Sequence, residues 1–91
     1  MRPSDFDVAW TSAARRSLNR VPEKIATAVV EFVYGSLAAN PPRVGKPLKL
    51  HLEGLHSARR GDYRVIYRIH DAKRRVDVIA VEHRSDAYRP H

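Results

Sequence analysis

The dipeptide Gly61-Asp62 lies between two strand-like runs, residues 55–60 and 63–70, and it constrains the fold more tightly than any other feature of the chain. Glycine at the first central position is the signature of a two-residue type II′ hairpin turn. A two-residue loop fixes the register. Arg60 faces Tyr63, Arg59 faces Arg64, Ala58 faces Val65, Ser57 faces Ile66 and His56 faces Tyr67. Directly opposed residues share one face of a sheet, and alternation sorts the rest. Tyr63, Val65, Tyr67 and Ile69, with Ala58 and His56, form an apolar face. Arg64, Ile66 and Arg68, with Ser57 and Arg59, form the other. Arg59 and Arg64 are therefore predicted to be neighbours on a solvent face.

Like charges directly opposed cost stability, and two guanidinium forks side by side are what a phosphate or carboxylate needs. The plainer reading is that exposed arginines keep a sheet face soluble, with Arg64 paired to Asp62, Asp77 or Glu82. Charge balance bears on the choice. Against 10 Asp and Glu stand 17 Lys and Arg, a formal net charge of +7. Such an excess on a small domain favours an anionic partner such as nucleic acid, an acidic membrane surface or an acidic protein.

The rest of the chain reads as one domain over residues 1–91, too short for a second. Residues 6–10 read as a strand, and Thr11-Ser12 as a helix cap. Ala14 and Leu18 lie four apart on a short amphipathic helix. Pro22 and Glu23 suit the start of a long helix with an apolar stripe of Ile25, Val29, Phe32 and Leu37. It ends before Asn40-Pro41-Pro42, because a residue preceding proline avoids helical geometry. Residues 41–54 are punctuated by Pro and Gly and read as a connection carrying Arg43, Lys46 and Lys49. A third strand, "RVDVIAVE", covers residues 75–82. The expected fold is α+β: two helices on one face of a mostly antiparallel four-stranded sheet, in the order β-α-α-β-β-β, with the other face open to solvent.

A chain this short, with no cysteine, has a thin margin of core burial, which points to a partner that covers more surface. The absence of cysteine fits a reducing compartment. The N-terminus lacks the apolar run of a signal peptide, and the longest apolar-rich stretch, residues 25–33, is far short of the ~20 residues that span a bilayer. A cytoplasmic protein without membrane contact is expected.

After the last strand comes "HRSDAYR". Cutting RNA through its own 2′-hydroxyl needs a proton acceptor, cations for the charge building on the phosphate, and a proton donor for the leaving oxygen. Arginine suits the second role, because it hardly deprotonates. His83 and Tyr88 are the candidate proton carriers, with Tyr88 needing a cationic setting to act as a base. A structural histidine at a strand end and a tyrosine covering an apolar edge are the plainer readings. The five histidines show no metal-site spacing, so no metal or other cofactor is expected. Trp10 and Phe6 fall at core-like positions.

The strings "LHSARRGDYRVIYRI" and "VEHRSDAYR", with "RVPEKI" between the helices and "GKPL" in the connection, resemble the RelE family of bacterial toxins from type II toxin–antitoxin modules. The likeness covers nearly the whole chain. It implies a ribosome-dependent endoribonuclease that cleaves messenger RNA in the A site without a metal and so arrests translation. It implies a cognate RelB-like antitoxin as partner, alongside ribosome and mRNA, and operator DNA reached only through the antitoxin complex. By motif, Arg64 is expected to hold the scissile phosphate and Arg84 to stabilise or protonate the leaving group. Tyr88 is expected to stack on the A-site base or move protons. Arg59 matches the strand arginine ahead of the turn, and His83 takes a proton role. Arg43, Lys46, Lys49, Arg60 and Arg68 are the expected RNA or ribosome contacts. The chain departs from some family members, which place two strand lysines where it has Leu55 and Ser57, leaving Lys46, Lys49 or Arg60 as substitutes. ParE toxins share the fold, poison DNA gyrase and do not cut RNA. They are the alternative, with a non-catalytic nucleic-acid-binding module as the third.

Overall fold

A computed structural model describes residues 5–48 and 54–83. Strand β1 (Asp7–Trp10) leads into helix α1 (Ser12–Arg20), then α2 (Glu23–Phe32) and its wider, π-type continuation Val33–Leu37. A short helix α3 (Pro41–Val44) precedes β2 (Lys46–Pro47), and the chain closes with β3 (Leu55–Arg60), β4 (Tyr63–His70) and β5 (Arg75–His83). The sheet order is β1-β5-β4-β3-β2. Only β1–β5 is parallel; the other pairs are antiparallel.

The expected α+β architecture holds, with one strand more than four. The extra strand is β2, two residues long and ending in a proline. Proline gives no strand signal, but on a sheet edge its missing N–H costs nothing. Residues 41–44, expected as plain connection, form a helical turn begun by Pro41 and Pro42, whose fixed φ suits a first turn.

Thr11 caps α1, accepting a hydrogen bond from the Ala14 amide at 3.0 Å. The long helix stops before Asn40, as the prolines require. Its apolar stripe, Val29, Phe32, Val33 and Leu37, packs with Ala14 against Ala58, Val65, Tyr67, Val76, Val78 and Val81 of the sheet. All these sheet residues share one face. Among the described residues no helix covers the opposite face, and the site is built there.

The hairpin forms as the local chemistry demands. Gly61 has φ +59 and Asp62 is not in the left-handed region, the type II′ pattern. The β3–β4 register is the expected one, with Arg59 opposite Arg64.

Candidate functional site: an arginine pair on the open sheet face

Arg59 and Arg64 stand on neighbouring strands as a directly opposed pair, both exposed. Opposed side chains begin about 4.5–5.5 Å apart at Cβ, close enough for two guanidinium groups to grip one anion. Arg68 lies on the same face further along β4, opposite Asp77 of β5. Lys46 joins this face from β2, opposite Ser57.

Strand β5 does not continue the simple alternation. Ile66 pairs with Ala80, but Tyr67 pairs with Val78, so Ile79 is an extra residue on β5. A β-bulge of this kind flips the parity of everything beyond it. Val76 and Val78 point to the core, and past the bulge so does Val81. Glu82 therefore emerges on the open face, opposite Arg64, and His83 falls opposite Tyr63 on the helix side. Thr11 holds the bulge. Its single hydroxyl proton is shared between the carbonyls of Val78 at 3.0 Å and Ile79 at 3.1 Å.

Glu82 is hydrogen-bonded to Arg64. Nε of Arg64 donates to Glu82 Oε1 at 2.9 Å, and Nη2 contacts the same oxygen. The two side chains are 47% and 41% exposed. An ion pair this open contributes under about 1 kcal/mol, so an anionic ligand displaces it at little cost.

At the far end of the face, His70 Nε2 lies 2.8 Å from Asp77 Oδ2, and Arg75 Nε donates to Asp77 Oδ1 at 2.9 Å. Partial burial alone would push the Asp77 carboxyl up. The hydrogen bonds and charges of His70 and Arg75 outweigh it and hold Asp77 below its ordinary value.

The remaining candidates are dispersed. Arg60 lies on the helix side, its guanidinium 5.3 Å from the Phe32 ring centroid. That position takes it away from the open face and removes it as a substitute for the strand lysines there. Beside it, burial pushes the Tyr63 hydroxyl up by more than the Arg60 charge pulls it down. Arg43 is exposed in the last turn of α3. Lys49, Arg84 and Tyr88 lie outside the described residues.

Lys46 owes its place to Gly45. A Cβ at Gly45 would run into the Tyr67 hydroxyl and sit 2.7 Å from the Ser57 carbonyl oxygen. Tyr67 is itself buried and donates to the Pro41 carbonyl at 2.6 Å. Burial pushes its hydroxyl up to about 12, against a hydrogen bond from the Gly45 backbone, so it stays protonated. Among the described residues no three His, Asp or Glu side chains gather as a metal site, and no helix is long and apolar enough to cross a membrane.

The assembled face thus offers a paired cationic grip with a carboxylate beside it, flanked by Lys46 and Arg68. Comparison with known proteins bears on its use. A family model for the ParE toxin of the type II toxin–antitoxin system parDE matches residues 8–88. Toxin RelE of Mycobacterium tuberculosis is 60% identical over 84 residues, 92% of this chain and 87% of that protein. Toxin RelG of the same organism is 50% identical over 84 residues, 92% of this chain and 97% of its own. The crystal structure of the toxin–antitoxin complex RelBE2 from M. tuberculosis contains a chain that superposes with a TM-score of 0.86 at 49% identity, covering 88% of this chain and 99% of that one. The isolated Escherichia coli RelE toxin shares the fold at 15% identity, with a TM-score of 0.70.

Proposed function

The chain belongs to the RelE/ParE family of type II toxins, and from that premise we propose that it is a ribosome-dependent endoribonuclease. It acts in the cytoplasm, cleaving messenger RNA in the A site and arresting translation. The observation that carries this reading is the directly opposed pair Arg59–Arg64 on a sheet face that no described helix covers. Evolving a like-charge pair on adjacent strands makes sense when a phosphate neutralises it.

In the reaction Arg64 and Arg59 hold the scissile phosphate and take up the charge that develops on its oxygens. The nucleophile is the RNA's own 2′-hydroxyl, and arginine cations serve the phosphate without a metal. Lys46 and Arg68 extend the cationic track along the RNA. By family motif Arg84 stabilises or protonates the leaving oxygen, and Tyr88 stacks on the A-site base or moves protons. His83 is adjacent in sequence, but the β5 register argues against its touching the same phosphate as Arg64.

The partner we propose is a RelB-like antitoxin, in line with the toxin–antitoxin complex formed by the 49%-identical relative. Operator DNA is reached through that complex. The second reading, a gyrase poison, is favoured by the ParE description of the matching family model. Two assays run in parallel on the purified protein separate them. One adds it to ribosomes paused with an open A site, and the other to gyrase acting on relaxed plasmid. Cut message with normal supercoiling is expected. Intact message with blocked supercoiling would replace the nuclease reading by the gyrase one.

A further inference from the structure

RNA cleavage by the 2′-hydroxyl needs a proton acceptor within reach of the phosphate grip. The open face holds few. Arginine does not deprotonate at working pH, and Leu55 and Ser57 stand where a strand lysine would serve. His83 faces the helix side, and His70 sits at the far end of the face, engaged with Asp77.

Lys46 joins the face on β2, two strands from Arg64, and as an ammonium has no acceptor, so Glu82 is the acceptor beside the grip. The bulge at Ile79 delivers it to the face, and its carboxylate rests on the guanidinium expected to hold the phosphate. The charged groups facing it are Arg64 on β4 and, one strand further, Arg59 on β3. On its other side β1 ends at Trp10, opposite Val78, short of Glu82.

A phosphodiester offers Arg64 the same kind of oxygen pair that a carboxylate does. The two ligands compete for one fork, and the exposed pair is cheap to open. When the phosphate takes over the guanidinium, the carboxylate is released at the edge of the phosphate site as an acceptor-only group. We propose that Glu82 is the proton acceptor of the cleavage step, stored on Arg64 until the scissile phosphate displaces it. This rests on the nuclease reading above. In the step, the Glu82 carboxylate takes the 2′-hydroxyl proton while the 2′-oxygen bonds to phosphorus. The bond from phosphorus to the 5′-oxygen breaks, and that oxygen takes a proton from water or from the group that the family motif assigns to it, Arg84. The products are a 2′,3′-cyclic phosphate and a 5′-hydroxyl, and Glu82 returns its proton to solvent. A carboxylate that only dampened repulsion between Arg59 and Arg64 would behave in the opposite way, since its removal frees Arg64 for RNA.

The test is single-turnover cleavage on paused ribosomes by wild type, Glu82→Gln and Glu82→Asp, followed from acidic to neutral pH. Glu82→Gln keeps the size and the hydrogen bond to Arg64, and circular dichroism verifies its fold. General-base removal is expected to slow cleavage by roughly 10²–10⁴-fold. The toxin concentration giving half-maximal rate should not rise, since Gln competes with the phosphate for Arg64 less than the carboxylate does. The rise of rate with pH should disappear in Glu82→Gln and return in part in Glu82→Asp. Wild-type or faster cleavage by Glu82→Gln overturns the proposal, as does a slower rate that keeps the wild-type pH profile. If wild type itself leaves the message intact, the nuclease reading fails and this proposal falls with it. If wild type cuts and Glu82→Gln cuts equally well, only the role of Glu82 falls.

Discussion

The anion Asp77 and the cation Arg64 each take part in an ion pair on one sheet face, yet they are held differently. Asp77 is gripped by His70 and Arg75 and is only about a fifth exposed, at 21%. Its carboxyl titrates below the ordinary value. A folded pKa below the unfolded one, about 3.9, means a contribution to stability that is complete above that pH. The contribution is lost as pH falls through the lower, folded value. Urea unfolding should therefore show wild type losing stability more steeply than Asp77→Asn as pH drops below about 4. Parallel curves would contradict the assignment. Arg64, by contrast, has a partner that is easily displaced. Its position could be read from residue types, because Gly61-Asp62 sets the turn and the turn sets the pair. Its counterion could not. Asp62, Asp77 and Glu82 were equal candidates until β5 had a register.

That register depends on an element whose signal is not local. Read by alternation, "RVDVIAVEH" puts Asp77 and His83 on one face and Val76, Val78 and Glu82 on the other. The extra residue at Ile79 exchanges His83 for Glu82 beside Arg64. No residue type in the strand marks Ile79. What braces it is Thr11, far away in sequence, whose hydroxyl lies on the carbonyls of Val78 and Ile79 while its oxygen caps α1. The sequence showed the cap and hid the second task. Thr11→Val removes both and should cost about 1–2 kcal/mol. In a domain of this size that lowers the melting temperature by roughly 4–8 °C per kcal/mol. An unchanged melting temperature would remove Thr11 from the scheme. The edge strand β2 went unread for a related reason. Two residues ending in proline make no pattern; they are held by pairing with Ser57 and His56 of β3, where Gly45 leaves room for Tyr67 and Ser57.

On the whole molecule, one layer of helices on a five-stranded sheet leaves a face whose charge is set by few residues. The α+β class followed from patterning alone, because an apolar stripe on α2 and an apolar face on the hairpin must bury each other. The net charge of +7 narrowed the partner only to something anionic: nucleic acid, an acidic membrane surface or an acidic protein. Affinity for the proposed ribosomal target should accordingly fall steeply as salt rises, measured by sedimentation across a salt series. Salt-insensitive binding would argue for an apolar contact instead. The Arg59–Arg64 grip itself is tested by mapping message ends on ribosomes paused with an open A site. Wild type, Arg64→Lys and Arg64→Ala are compared, each first shown to be folded. Cuts within the A-site codon that end in a cyclic phosphate are expected from wild type, weakened in Arg64→Lys, where the bidentate fork is gone, and absent in Arg64→Ala. Full cleavage by a folded Arg64→Ala protein would contradict the assignment of this face as the phosphate site.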